Sequence, residues 1–113
     1  RHRRATRAAM EAIGLPLYAP AECSSPAITA VAPDGLDAEA VRKVVKSRYD
    51  ILLAGGQDHL KGKVFRIGHL GFVADRDVLV AVAAIEGALV ELGRPPAQPG
   101  AGVAAAAAVL QQG

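Results

Sequence analysis

Arg66 is the residue in this sequence best suited to gripping a ligand. It sits at the centre of Val64-Phe65-Arg66-Ile67-Gly68, a short run bounded by glycine-rich segments that reads as a strand. Side chains alternate along a strand, so Phe65 and Ile67 share one face, the face that helices would cover. Val64, Arg66 and Gly68 point to the other. A guanidinium at mid-strand calls for a planar acceptor, and its fixed fork of donors suits a carboxylate through two parallel bonds, which lysine cannot match. Gly68 and Gly71 leave room for a ligand to approach the backbone. The competing reading is a structural ion pair with Asp58 or Asp75, and spacing alone leaves both open.

Other combinations are weaker. Ile51 to Lys63 imitates a phosphate-binding loop, with an apolar strand, glycines, then Gly62-Lys63. Five residues separate Gly56 from Gly62 instead of four, and Val64 stands where a Ser or Thr would hold magnesium. A strand follows, so no helix N-terminus would face the phosphate. His59 and His69 with Asp58 or Asp75 lack the spacing of a metal site. Cys23-Ser24-Ser25 has no histidine and orienting acid at a diagnostic distance. Lys61 and Lys63, in a glycine-rich loop, read as solvated rather than as Schiff-base lysines.

The elements that must position Arg66 follow from patterning. With 113 residues the chain has room for one domain, and at 51% hydrophobic but only 4% aromatic its core must be built from Val, Ile, Leu and Ala. Residues 1–13 read as a helix with Ala5, Ala9, Met10 and Ile13 on one side and Arg1, Arg3, Arg4 and Arg7 on the other, a solvated basic face. Gly14, Leu15 and Pro16 stop it. This helix has a clear end but no cap at its start, so an upstream portion of the chain is expected. A strand covers about 26–32. Asp37 caps a helix to Tyr49 with Val41, Val44, Val45 and Tyr49 on its apolar face. Ile51–Ala54 reads as a second strand, antiparallel to 64–68. Asp75 caps a helix over 76–92 whose stripe is Val78, Val82, Ile85, Leu89 and Leu92, and Gly93, Pro95 and Pro96 end it. Residues 94–113 form a Pro/Gly/Ala-rich tail, a frayed helix or disordered.

The expected fold class is α/β, an α+β two-layer domain. It has a small, mainly antiparallel three-stranded sheet with helices on one face, in the order α-β-α-β-β-α. A net charge of +2 without a basic stripe interleaved with aromatics argues against nucleic acid. No run of about 18 apolar residues predicts a membrane span, and no apolar h-region follows the arginines as a signal peptide requires. The lone Cys23 cannot form an internal disulfide, which fits a reducing, cytoplasmic setting.

The segment Leu60-Lys-Gly-Lys-Val-Phe-Arg-Ile-Gly-His-Leu-Gly71, set after Tyr49-Asp-Ile-Leu-Leu-Ala-Gly-Gly56, resembles the C-terminal small domain of class V (fold-type I) pyridoxal phosphate-dependent aminotransferases of the alanine–glyoxylate and serine–glyoxylate group. Arg1-His-Arg with Gly14-Leu, Ser25-Pro-Ala-Ile-Thr-Ala-Val and Pro33-Asp-Gly-Leu-Asp37 resembles it too. The likeness covers about residues 1–93, the expected domain, and leaves 94–113 as the tail. It implies that Arg66 binds the substrate's α-carboxylate and that Gly55, Gly56 and His69 border the site. It implies transamination of small amino acids and oxo acids by a homodimeric parent, with pyridoxal phosphate, its lysine and most phosphate ligands in a missing N-terminal large domain. The fragment alone is then expected to hold no cofactor and to be inactive. Some proteins of this group carry a soluble-hydrogenase label, but one cysteine offers no cluster for nickel or iron–sulfur ligands. The alternative from a different class is a non-catalytic protein-interaction module whose open sheet face docks another protein.

Overall fold

The computed structural model describes residues 2–18, 28–56, 61–68 and 74–112. Helix α1 (His2–Ala12) buries Ala5, Thr6, Ala9 and Met10. Arg4 is exposed but Arg3 and Arg7 are half-buried, so the arginine face is solvated only in part. The glycine stop is a Schellman closure. Gly14 takes φ +79°, its N–H donates to Glu11 O at 3.1 Å, and Leu15 N–H donates to Met10 O at 2.9 Å.

Strand β1 (Ile28–Val31) precedes α2 (Ala38–Tyr49). Asp37 caps α2 as its residue type predicts, with Oδ1 accepting from Glu39 N–H at 2.9 Å. Strands β2 (Ala54–Gly55) and β3 (Phe65–Gly68) form a hairpin, followed by α3 (Asp75–Glu91) and α4 (Ala101–Gln111). The sheet order is β1-β3-β2, antiparallel throughout, so Arg66 lies on the central strand. Element order follows the sequence reading, with one helix added at the end.

Phe65 and Ile67 are buried at 0% and 2% exposure. They meet Val31, Val41, Val45, Val78, Val82, Ile85, Leu89 and Met10 in one core under the helices. Burying a side chain such as Phe65 contributes about 1.5–3 kcal/mol.

Three local expectations change, and the tail takes the helical one of its two readings over 101–111. Strand β2 lies later than 51–54, because Leu53 gives its carbonyl to Arg42 Nε (2.8 Å) rather than to a ladder. Val64 precedes β3 and is buried at 2% exposure rather than open with Arg66; its carbonyl accepts from Gly56 N–H at 3.0 Å and closes the hairpin. Asp75 is the first residue of α3 rather than its cap, and Asp77 Oδ2 accepts from Ala74 N–H at 2.9 Å. Within the expected tail, residues 101–111 are helical and join the same core through Ala106 and Leu110. Gly102 makes this possible: a Cβ there would lie 2.9 Å from Ile13 Cγ2 and 3.0 Å from Val82 Cγ1, so α4 approaches its neighbours closely.

Candidate functional site

Antiparallel pairing sets Arg66 opposite Ala30 on one side and Ala54 on the other. Residues directly opposite share a face, so Arg66 is flanked by methyl groups on the side away from the helices. Ala54 and Gly68 are exposed there, Ala30 is buried, and Arg66 is half-buried.

Arg66 Nε donates to Gly55 O at 3.1 Å. Among the described residues this is its one hydrogen bond, and no carboxylate pairs with it. Asp75, one of the two acids that could have claimed it, instead lies 3.2 Å from His2 Nε2. The other, Asp58, lies outside the described residues, as do Cys23, His59 and Gly71. The structure therefore joins Arg66 to Gly55. Gly56 is beside them as the hairpin closure, and His69 lies outside the described residues. Lys61 and Lys63 are exposed.

Gly55 has a second set of neighbours that spacing did not reveal. On the helix side, a Cβ at this position would lie 2.7 Å from Arg42 Nη1 and 2.8 Å from Glu39 Oε2. Arg42 Nη1 donates to Glu39 Oε1 at 2.6 Å while Arg42 Nε holds Leu53 O at 2.8 Å. Glu39 Oε2 is buried without a partner, so this pair is closely enclosed over β2. Glu39 and Arg42 are three apart on a helix, a visible i,i+3 pair; only the fold brings them onto Gly55. An open groove of about 220 Å³ lies next to them, lined by Glu39, Arg42, Lys43, Lys46, Leu52 and Leu53.

At the end of α2, Asp50 accepts from Lys46 Nζ at 2.8 Å. That hydrogen bond and the ammonium charge hold the Asp50 carboxyl below its ordinary value. Among the described residues no three His, Cys, Asp or Glu gather as a metal site, and no helix is long and apolar enough to cross a membrane. Chemically, the site is a half-buried cation with a planar donor fork, braced by a backbone carbonyl. A planar fork of this kind is the geometry that pairs with carboxylates.

No protein-family profile matches the chain. Individual proteins do. It is 66% identical to the protein named soluble hydrogenase, small subunit, of Synechococcus sp., over 97% of this chain and 29% of that protein. It is 41% identical to the serine–glyoxylate aminotransferase of Methylorubrum extorquens, over 96% of this chain and 27% of that protein. The crystal structure of ureidoglycine–glyoxylate aminotransferase from Bacillus subtilis superposes with a TM-score of 0.87 at 31% identity, over 97% of this chain and 29% of that one. The chain thus spans less than a third of the length of the relatives it matches. On this likeness in sequence and fold, the chain belongs to the class V aminotransferases, within which its extent and α+β architecture correspond to the small C-terminal domain.

Proposed function

We propose that this chain is the substrate-carboxylate-binding small domain of an alanine/serine–glyoxylate or serine–pyruvate type aminotransferase, incomplete as an enzyme by itself. Arg66 carries the reading: it stands on the central strand, away from the helices, with Nε on Gly55 O and no acid beside it among the described residues. A guanidinium in that state is poised to receive a carboxylate from a ligand.

The proposal extends to the whole protein as a homodimer, in a cytoplasmic setting, acting on small amino acids and oxo acids. Pyridoxal phosphate would serve there as the electron sink when bound. The described residues do not fit that group. All four lysines, Lys43, Lys46, Lys61 and Lys63, are exposed, and none stands in an enclosed site that would hold an aldehyde. The proposal assigns the cofactor to the larger part of the protein and gives this domain the task of positioning the substrate. By fixing the carboxylate, Arg66 fixes the direction of the bonds at the amino acid's α-carbon, an orientational contribution to rate.

Removing a charge-assisted bidentate contact costs about 2–4 kcal/mol, or roughly 30- to 1000-fold in kcat/KM. In the full-length protein, Arg66→Ala is expected to raise KM for the amino donor steeply while the visible absorbance of bound cofactor persists. Unchanged transamination kinetics would refute the assignment.

One observation favours the non-catalytic alternative. Leu52 is 78% exposed, close in sequence to exposed Ala54, which gives this side of the chain an apolar surface that a protein partner could cover. The single cysteine offers no set of thiolates for the chemistry in the name of the Synechococcus relative. Loss of association with a partner on Leu52→Glu, together with intact kinetics in Arg66→Ala, would favour the module.

A further inference from the structure

Strand β2 and the residue before it are each held through a carbonyl by an arginine. From α2, Arg42 Nε holds the carbonyl of Leu53 at 2.8 Å; from β3, Arg66 Nε holds the carbonyl of Gly55 at 3.1 Å. Between them Gly55 has no side chain, and a Cβ there would fall 2.7 Å from Arg42 Nη1 and 2.8 Å from Glu39 Oε2. Those distances are shorter than real Cβ contacts, and both atoms belong to a pair already closed at 2.6 Å. A Cβ would push both side-chain ends aside, and a shift of Arg42 loads its bonds to Glu39 Oε1 and to Leu53 O.

A guanidinium can meet a carboxylate side-on, through Nε and one terminal nitrogen, or end-on, through Nη1 and Nη2. The Gly55 carbonyl occupies Nε and so leaves the end-on fork. We infer that Gly55, locked in place by the Glu39–Arg42 pair, is a positioning residue that commits Arg66 to end-on carboxylate capture. This rests on the reading of Arg66 as the carboxylate ligand. It adds that the helix side of the sheet, through residues that never touch substrate, sets the direction in which the fork points.

The test uses the full-length protein and three variants: Gly55→Ala, which forces the Glu39–Arg42 pair off β2; Arg42→Met, which removes the bond to Leu53 at similar volume; and Arg66→Ala. The first readout is kcat/KM for an amino-acid donor divided by kcat/KM for the corresponding amine that lacks the carboxylate. A general folding defect lowers both and leaves the ratio alone. The second is the Nε–H resonance of Arg66 in protein labelled with nitrogen-15 arginine, which reports the bond to Gly55 independently of turnover. In Gly55→Ala and in Arg42→Met the ratio is expected to fall about tenfold or more through KM, and the resonance to lose its protection from exchange. If Arg66→Ala collapses the ratio while the folded Gly55→Ala and Arg42→Met proteins keep both ratio and resonance, the positioning role is refuted and the carboxylate reading survives. If Arg66→Ala leaves the ratio unchanged, the carboxylate reading falls and the inference falls with it. Should Gly55→Ala not fold, Arg42→Met decides alone by the same readouts.

Discussion

Replacing Glu86 should release α4 without unfolding the rest of the domain. Glu86 is 8% exposed on α3, and its Oε1 accepts from Gly102 N–H, in the first turn of α4, at 2.7 Å. Gly100, the residue before that helix, has no side chain to cap it, so the carboxylate of a neighbouring helix does the capping. A hydrogen bond to a charged acceptor contributes about 1.5–3 kcal/mol, and an anion near a helix N-terminus adds about 0.3–1 kcal/mol. Glu86→Gln keeps an acceptor and loses the charge, so about 1 kcal/mol is lost. Glu86→Ala also leaves a buried N–H unpaired, which raises the loss to about 2–4 kcal/mol. Each 1.36 kcal/mol is about a factor of ten in an equilibrium. If α4 opens locally, its amides in Glu86→Ala should exchange about 30- to 1000-fold faster, with Glu86→Gln in between. Hydrogen exchange read by mass spectrometry on the peptide 101–111 of the full-length protein, with α3 as internal reference, measures this. Unchanged protection of 101–111 in Glu86→Ala, or equal acceleration of α3, would refute the latch.

Two further predictions concern α2 and its neighbours. Gly87→Ala in α3 would ordinarily gain about 1 kcal/mol of helix propensity. Here the new methyl would overlap the Tyr49 hydroxyl, so overpacking should win, with a net loss of about 1–3 kcal/mol; a thermal melt that falls in Gly87→Ala and recovers when Tyr49 is also shortened checks it. Asp50 has a folded-state pKa lowered by Lys46. Its contribution is therefore present above the unfolded carboxylate value of 3.8 and lost as pH falls through the lowered folded value. Asp50→Asn, which tolerates the residue's φ of 56°, should lower the midpoint slightly near neutral pH and remove the matching small decline on the acid side.

What was legible in the sequence was whatever local periodicity determines. Alternation placed Phe65 and Ile67 inward and Arg66 outward, and the four-three spacing along 78–89 found the α3 face, because side-chain direction in these elements is fixed by backbone geometry. The Gly14 stop and the Asp37 cap were visible for the same reason: both satisfy backbone groups within one turn. Misses came where distant residues supply the partner. Helix α4 has glycine at its start and a run of alanines with no apolar stripe, so its stability depends on Glu86 and on close approach of Gly102 to Ile13 and Val82. Strand β2 shifted because a helix arginine takes the Leu53 carbonyl. The Glu39–Arg42 pair could be read as an i,i+3 pair, but nothing in spacing says that Gly55 lies beneath it.

Why the arginine proposed as the carboxylate ligand should rest against a two-residue strand is a question of entropy. Two ladder residues are far fewer than the five or six of an ordinary strand, about one-third of its backbone pairing, so β2 alone makes a weak reference point. The arginines supply what the ladder lacks: Arg66 takes the Gly55 carbonyl within β2, Arg42 takes the Leu53 carbonyl just before it, and Arg42 is held in turn by Glu39 within α2. An arginine side chain carries about 2 kcal/mol of rotamer entropy, and fixing Nε before the ligand arrives reduces how much remains to be lost on binding. The residues facing Arg66 across the ladder, Ala30 and Ala54, are too small to fix it by packing. The Gly55 carbonyl is therefore the contact that sets the guanidinium's direction. The absence of a side chain at Gly55 lets the Glu39–Arg42 pair lie close over β2 while Arg42 holds the neighbouring Leu53 carbonyl.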